Sequence, residues 1–137
     1  MIHDIETTRR ALAEVLENEP DVIAAYHFGS TFDGTAHDDS DFDVGVLFCF
    51  KVKLRRLVRL EAALDQAIPH TADLVDVRRA GPFVSLDVIR GDRFFCRDEV
   101  AADEFDLYVL SRAGDLAYYE YQRREILLGT PIGKGTG

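Results

Sequence analysis

Residues 26–48, YHFGSTFDGTAHDDSDFDVGVLF, constrain this chain more than any other stretch. They join two apolar runs, 22–28 and 44–50, through a Gly29-Ser30 pair, ten further residues, and then Asp41-Phe42-Asp43. The order predicts a strand, a glycine-bearing turn, a polar loop and a second strand. On a strand, residues two apart share a face, so Asp41 and Asp43 project side by side with Phe42 on the opposite side. Carboxylates held that close repel, and both ionise readily only where a cation sits between or over them. Mg²⁺ suits such oxygen ligands, usually taking one or two protein carboxylates together with substrate phosphate oxygens. Gly29 lets the backbone approach a phosphate without a Cβ in the way, and Ser30 adds a hydroxyl donor. The plainer reading is a solvated loop in which Asp33, Asp38 and Asp39 are turn residues. The Gly-Ser pair set at this spacing between two apolar runs favours a nucleotide-and-metal site instead.

The rest of the chain reads as alternating helices and strands. Ile5, Thr8, Leu12, Val15 and Leu16 share one face of a helix over 3–18, and Pro20 prevents its continuation. Strands follow at 22–28 and 41–48. Leu54, Leu57, Val58, Leu64 and Ile68 mark a helix over 51–68 that ends at Pro69. A short strand at 72–77 precedes a helix opened by Gly81-Pro82, where a missing N–H costs nothing. Gly91-Asp92 is a turn before a brief strand at 93–96. Asp98 and Glu99 read as a cap and acidic first turn for helix formers that run to about 128, interrupted only by Gly114. A helix of about thirty residues spans ~45 Å, so it either kinks near Gly114 or projects from the body. The class is α/β (α+β): a small mixed sheet with flanking helices and a long C-terminal helical segment. We expect one domain over 1–128, with the helical segment from about 98, and a disordered glycine-rich tail over 129–137.

Composition narrows the function classes. A net charge of −9 over 137 residues argues against direct nucleic-acid binding and is compatible with a basic protein partner. No apolar run reaches membrane-spanning length and MIHDIETTRR is not a signal peptide, so a cytoplasmic protein is expected. Cys49 and Cys96, in or beside apolar runs, are expected to be buried free thiols. Lys51, Lys53, Arg55, Arg56 and Arg59 form a basic cluster, read first as a solvated helix face and second as a contact for nucleotide phosphates. His3, His27, His37 and His70 share no metal-ligand spacing. Tyr108, Tyr118, Tyr119 and Tyr121 are either core and boundary aromatics of the last helix or a partner-binding face.

Gly29-Ser30, ten residues and Asp41-x-Asp43 resemble the GS-x10-DxD signature of the polymerase-beta-like nucleotidyltransferases. The chain is most similar to their minimal single-domain members, the MNT proteins paired with HEPN-type toxins, over about residues 5–100. The resemblance implies the polymerase-beta-like fold, a divalent metal (Mg²⁺, with Mn²⁺ as the alternative) and transfer of AMP from ATP to a hydroxyl. It implies a third acidic ligand on a neighbouring strand. Asp73 fits that pattern, with Asp76 as rival, and three residues of separation put the two on opposite faces. Asp41, Asp43 and Asp73 are thus the expected catalytic and metal-binding residues, with Gly29 and Ser30 on the phosphates. The implied acceptor is a tyrosine of a HEPN ribonuclease toxin, which makes the protein its antitoxin in a hetero-oligomer. A non-catalytic antitoxin that blocks the toxin, or an enzyme acting on a small molecule such as an aminoglycoside, are the alternatives. One departure from the pattern the resemblance implies stands out: members of that family usually carry a basic residue where this chain has Asp33, before Gly34.

Overall fold

The computed structural model describes residues 4–34 and 41–127, without the side chains of 117–119 and 125–127. His3, His37, Asp38, Asp39 and the expected tail over 129–137 lie outside the described residues, and Tyr118 and Tyr119 outside the described side chains.

The elements are α1 (Ile5–Glu17), β1 (Val22–Phe28), α2 (Ser30–Asp33), β2 (Phe42–Phe48), α3 (Leu54–Ala67), β3 (Ala72–Asp76), α4 (Pro82–Ile89), β4 (Asp92–Cys96) and α5 (Glu99–Leu127). The strands form one mixed sheet in the order β3-β2-β1-β4. β1 runs antiparallel to both β2 and β4, and β2 runs parallel to β3. β1 and β2 are buried on both faces, which is why their sequences are apolar runs with little alternation.

Helices cover both faces. On one side Leu12 and Leu16 of α1 and Leu60 and Leu64 of α3 pack with Ala25, Phe42, Val44, Val46 and Leu74. On the other, Val88 of α4 and Ala102 of α5 pack with Ala24, Tyr26 and Leu47. Gly45 allows this second layer to sit close, because a Cβ there would collide with Val88 Cγ1. α1 starts where Asp4 accepts a hydrogen bond from the Thr7 amide at 3.3 Å, and α5 where Asp98 accepts from the Ala101 amide at 3.1 Å.

Several expectations need correction. The α3 face that packs is Leu60 and Leu64, whereas Leu54 and Val58 are 64% and 58% exposed. Leu54 lies in the first turn, and Val58 is turned about 100° from the neighbouring half-buried Leu57. Cys49 is exposed and Cys96 half-buried, both as free thiols. β2 stops at Phe48, so Cys49 falls in the bend beyond it. Residues 30–33, expected as irregular turn and loop, form one helical turn. α5 is continuous through Gly114 over 29 residues. Ala113 is the last buried one among its described side chains. Tyr108 and Tyr121 are 53% and 56% exposed and do not belong to the core. No helix of the described residues is long and apolar enough to cross a membrane.

Candidate active site

The ladder registers bring the expected site residues to one end of the sheet. Phe28, the last residue of β1, pairs with Asp43, so Gly29 emerges beside that carboxylate. Across the parallel β2–β3 ladder, Asp43 stands opposite Asp73. Asp43 is half-buried, and Asp41 and Asp73 are exposed at the same end. Asp41 lies just ahead of β2, which begins at Phe42 and not at Asp41 as the sequence pattern implied.

The electrostatics follow from this crowding. Burial, then the charge and hydrogen bonding of Asp73, then the charge of Asp41, push the Asp43 carboxyl up to about 6. A carboxyl perturbed in this way is a mark of a functional position. Among the described residues no group of three or more His, Cys, Asp or Glu side chains is arranged to hold a metal ion. The donor chemistry nevertheless fits a hard cation, because these are carboxylate oxygens that repel one another and leave room for substrate oxygens. The cradle fits as well: Gly29 is so close that a Cβ on it would collide with Asp43 Oδ2.

Gly29 makes the turn. Its φ of 81° and ψ of −161° belong to a region that is essentially glycine-only. Its carbonyl then accepts from the Phe32 and Asp33 amides at 3.1 and 3.0 Å, which closes the single turn of α2 with Ser30 at its head. Gly34, at φ 85°, ends that turn in the left-handed conformation. Asp33 is exposed.

Asp76 is set apart from this end. It is 4% exposed on the α1/α3 side, where its Oδ1 accepts from the Arg78 amide at 3.1 Å and its Oδ2 lies 3.4 Å from Arg79 Nε. That last distance is an ion-pair contact without hydrogen-bond geometry, since Oδ2 has no hydrogen-bond partner. The basic cluster is also remote, because it follows the far end of β2, about 20 Å from Asp43 by strand rise. Within it, Arg56 binds Asp21 and Glu19 at 2.7 and 2.9 Å, while Lys51, Lys53, Arg55 and Arg59 are exposed.

Sequence reasoning missed three residues. His27 is completely buried in β1, its Nδ1 lies 3.2 Å from Arg9 Nε, and its Nε2 lies 2.8 Å from Thr31 Oγ1. Burial, then the Arg9 charge, lower its pKa to about 4. The available signal was a lone imidazole in an apolar strand two residues before the Gly-Ser pair.

Residues 10–100 match the protein-family model described as "Polymerase beta, Nucleotidyltransferase". No curated protein sequence matches the chain. Among solved structures, a chain of a toxin–antitoxin complex with AMP-PNP superposes with a TM-score of 0.68 at 23% identity, covering 88% of this chain and 94% of that one. A chain of the MntA–HepT toxin–antitoxin gives 0.65 at 19% identity, covering 90% and 94%. A complex of tri-AMPylated Shewanella oneidensis HEPN toxin with MNT antitoxin gives 0.65 at 19% identity, covering 90% and 93%. At these identities the likeness is one of fold.

Proposed function

Since the chain belongs to the polymerase-beta nucleotidyltransferase family, we propose that it transfers AMP from ATP to a hydroxyl, namely a tyrosine of a HEPN-type toxin. It then acts in the cytoplasm as the antitoxin of that pair. The observation that carries this reading is Asp43 facing Asp73 across one ladder, with Asp41 beside them and Gly29 against Asp43. The neighbouring folds support the biological setting, being chains of toxin–antitoxin complexes solved with AMP-PNP or with an AMPylated toxin.

In this reaction the acceptor oxygen bonds to the α-phosphorus of ATP while the bond to the β-phosphate oxygen breaks. Pyrophosphate leaves with that electron pair. A divalent cation, Mg²⁺ or Mn²⁺, held by Asp41, Asp43 and Asp73 would neutralise the phosphate charge as it shifts to the leaving group. Gly29 and the Ser30 hydroxyl would hold the β- and γ-phosphates, and Asp73 would favour removal of the acceptor proton. Little covalent work falls to the protein, so most of the rate comes from positioning and charge neutralisation.

Intact mass spectrometry of a toxin co-expressed with this chain tests the reading. Added AMP units, absent with an Asp41→Asn/Asp43→Asn variant, are expected. An inhibited but unmodified toxin would instead make the protein a steric blocker.

A further inference from the structure

The contact chain Arg9–His27–Thr31, centred on the buried His27, is a polar feature that the proposed reaction does not use. It begins on α1, passes through β1 and ends on α2. Arg9 Nε and Nη2 lie 3.2 and 2.9 Å from His27 Nδ1. A guanidinium offers only donors, so Nδ1 accepts and the single proton of the neutral ring is on Nε2. The imidazole stays neutral because it is buried beside a cation. Nε2 therefore donates to Thr31 Oγ1 at 2.8 Å. Thr31 is the residue next to Ser30.

The same ring touches the other half of the site. Its face stacks on Phe42, with centroids 3.9 Å apart and planes at 9°. Phe42 is the residue between Asp41 and Asp43. Its edge meets Phe32 of α2 at 5.7 Å and 80°. A single turn of helix has no stability of its own, since nucleation costs more than one hydrogen bond returns. α2 thus depends on tertiary anchors for its place. An apolar residue at 27 would pack against Phe42 but would give Thr31 nothing to accept.

We propose that His27, held by Arg9 with its proton on Nε2, is a positioning residue that fixes Thr31 and so keeps the Gly29–Ser30 turn in register with Asp41 and Asp43 for nucleotide binding. The inference rests on the nucleotidyltransferase reading above.

Calorimetric titration with ATP and Mg²⁺, read beside thermal unfolding, tests it. Thr31→Val keeps the shape and removes the acceptor. It should weaken nucleotide binding roughly three- to tenfold, the range for one hydrogen bond. Thr31→Ser should restore the wild-type Kd. Ile23→Val, which trims the core elsewhere on β1, should lower the melting temperature and leave the Kd unchanged. Arg9→Met gives a second arm, in which the ring nitrogen NMR shifts of His27 should depart from the Nε2–H tautomer. Its effect on binding should also be non-additive with that of Thr31→Val. Wild-type affinity in Thr31→Val, or an equal loss in Ile23→Val, overturns the positioning role alone. A wild-type protein that does not bind ATP at all overturns the nucleotide reading, and the positioning role with it.

Discussion

Gly29 and Asp73 carry the sharpest tests available at single residues. Alanine at position 29 meets two penalties at once, a backbone conformation closed to residues with a Cβ and a collision with Asp43. Gly29→Ala should cost about 1–3 kcal/mol of stability, the range for a residue forced into such a region. Urea denaturation would measure that loss, and transfer should fall with it because the turn and the carboxylate are pushed apart. A Gly29→Ala protein of unchanged stability would mean that the turn is looser than its dihedrals imply. The two aspartates of β3 should separate cleanly. Asp73 stands among carboxylates, so Asp73→Asn relieves repulsion and should abolish transfer at equal or greater stability of the metal-free protein. Asp76 is buried against the 78–80 turn, and Asp76→Asn should lower the melting temperature while keeping most activity. The reverse pattern in melts and assays would place the wrong aspartate at the site.

The C-terminal helix is tied to the sheet at one polar point. Tyr26 donates from its hydroxyl to Asp106 Oδ1 at 2.7 Å, and Arg93 binds Asp106 Oδ2 at 2.6 Å and Asp103 at 2.9 Å. Burial and then Asp106 hold the Tyr26 phenol well above its ordinary pKa, so it remains a donor at all relevant pH. Asp106→Ala strands the buried hydroxyl and leaves the guanidinium with Asp103 alone, and should cost about 1–3 kcal/mol, the penalty for leaving a buried polar group unpaired. Chemical denaturation checks the number, and amide exchange should show α5 loosening before β1. Beyond Ala113 the helix presents no buried described side chain. Truncation from 115 onward should therefore leave the sheet's thermal transition nearly unmoved.

Across the whole molecule, one half-buried and one buried group pull the pH dependence in opposite directions. The Asp43 carboxyl is raised to about 6 in the fold, so its contribution is present below about 4 and lost as pH rises through 6. The His27 imidazole is lowered to about 4, so its contribution is present above about 6.5 and lost as pH falls through 4. They offset each other in the wild type. In EDTA, Asp43→Asn should show stability climbing more steeply between pH 4 and 6.5 than the wild type, and His27→Phe should show the opposite change of slope. Parallel wild-type and Asp43→Asn curves would deny Asp43 its raised pKa. At the same scale, an AMP-transferring antitoxin should act catalytically: a substoichiometric amount with ATP and Mg²⁺ should silence excess toxin. Protection only at equimolar ratio, with no mass added, would sink that prediction.

What the sequence determined by itself was local. Apolar runs fixed β1 and β2, Pro20 and Pro69 ended the segments before them, and Asp98 announced α5. The spacing from Gly29 to Asp43 marked the candidate site and its family because a turn, a loop and a strand start are all encoded within one short stretch. The three-residue interval likewise separated Asp73 from Asp76, since strand alternation is a local rule. What only the tertiary structure decided was everything set by pairing between distant segments. The parallel register of β2 and β3 sets Asp73 opposite Asp43. The end of β2 at Phe48 leaves Cys49 exposed, although an apolar run continues past it. The partners of His27 were illegible too, because Arg9 and Thr31 come from α1 and α2 and leave no spacing in β1 by which to read them.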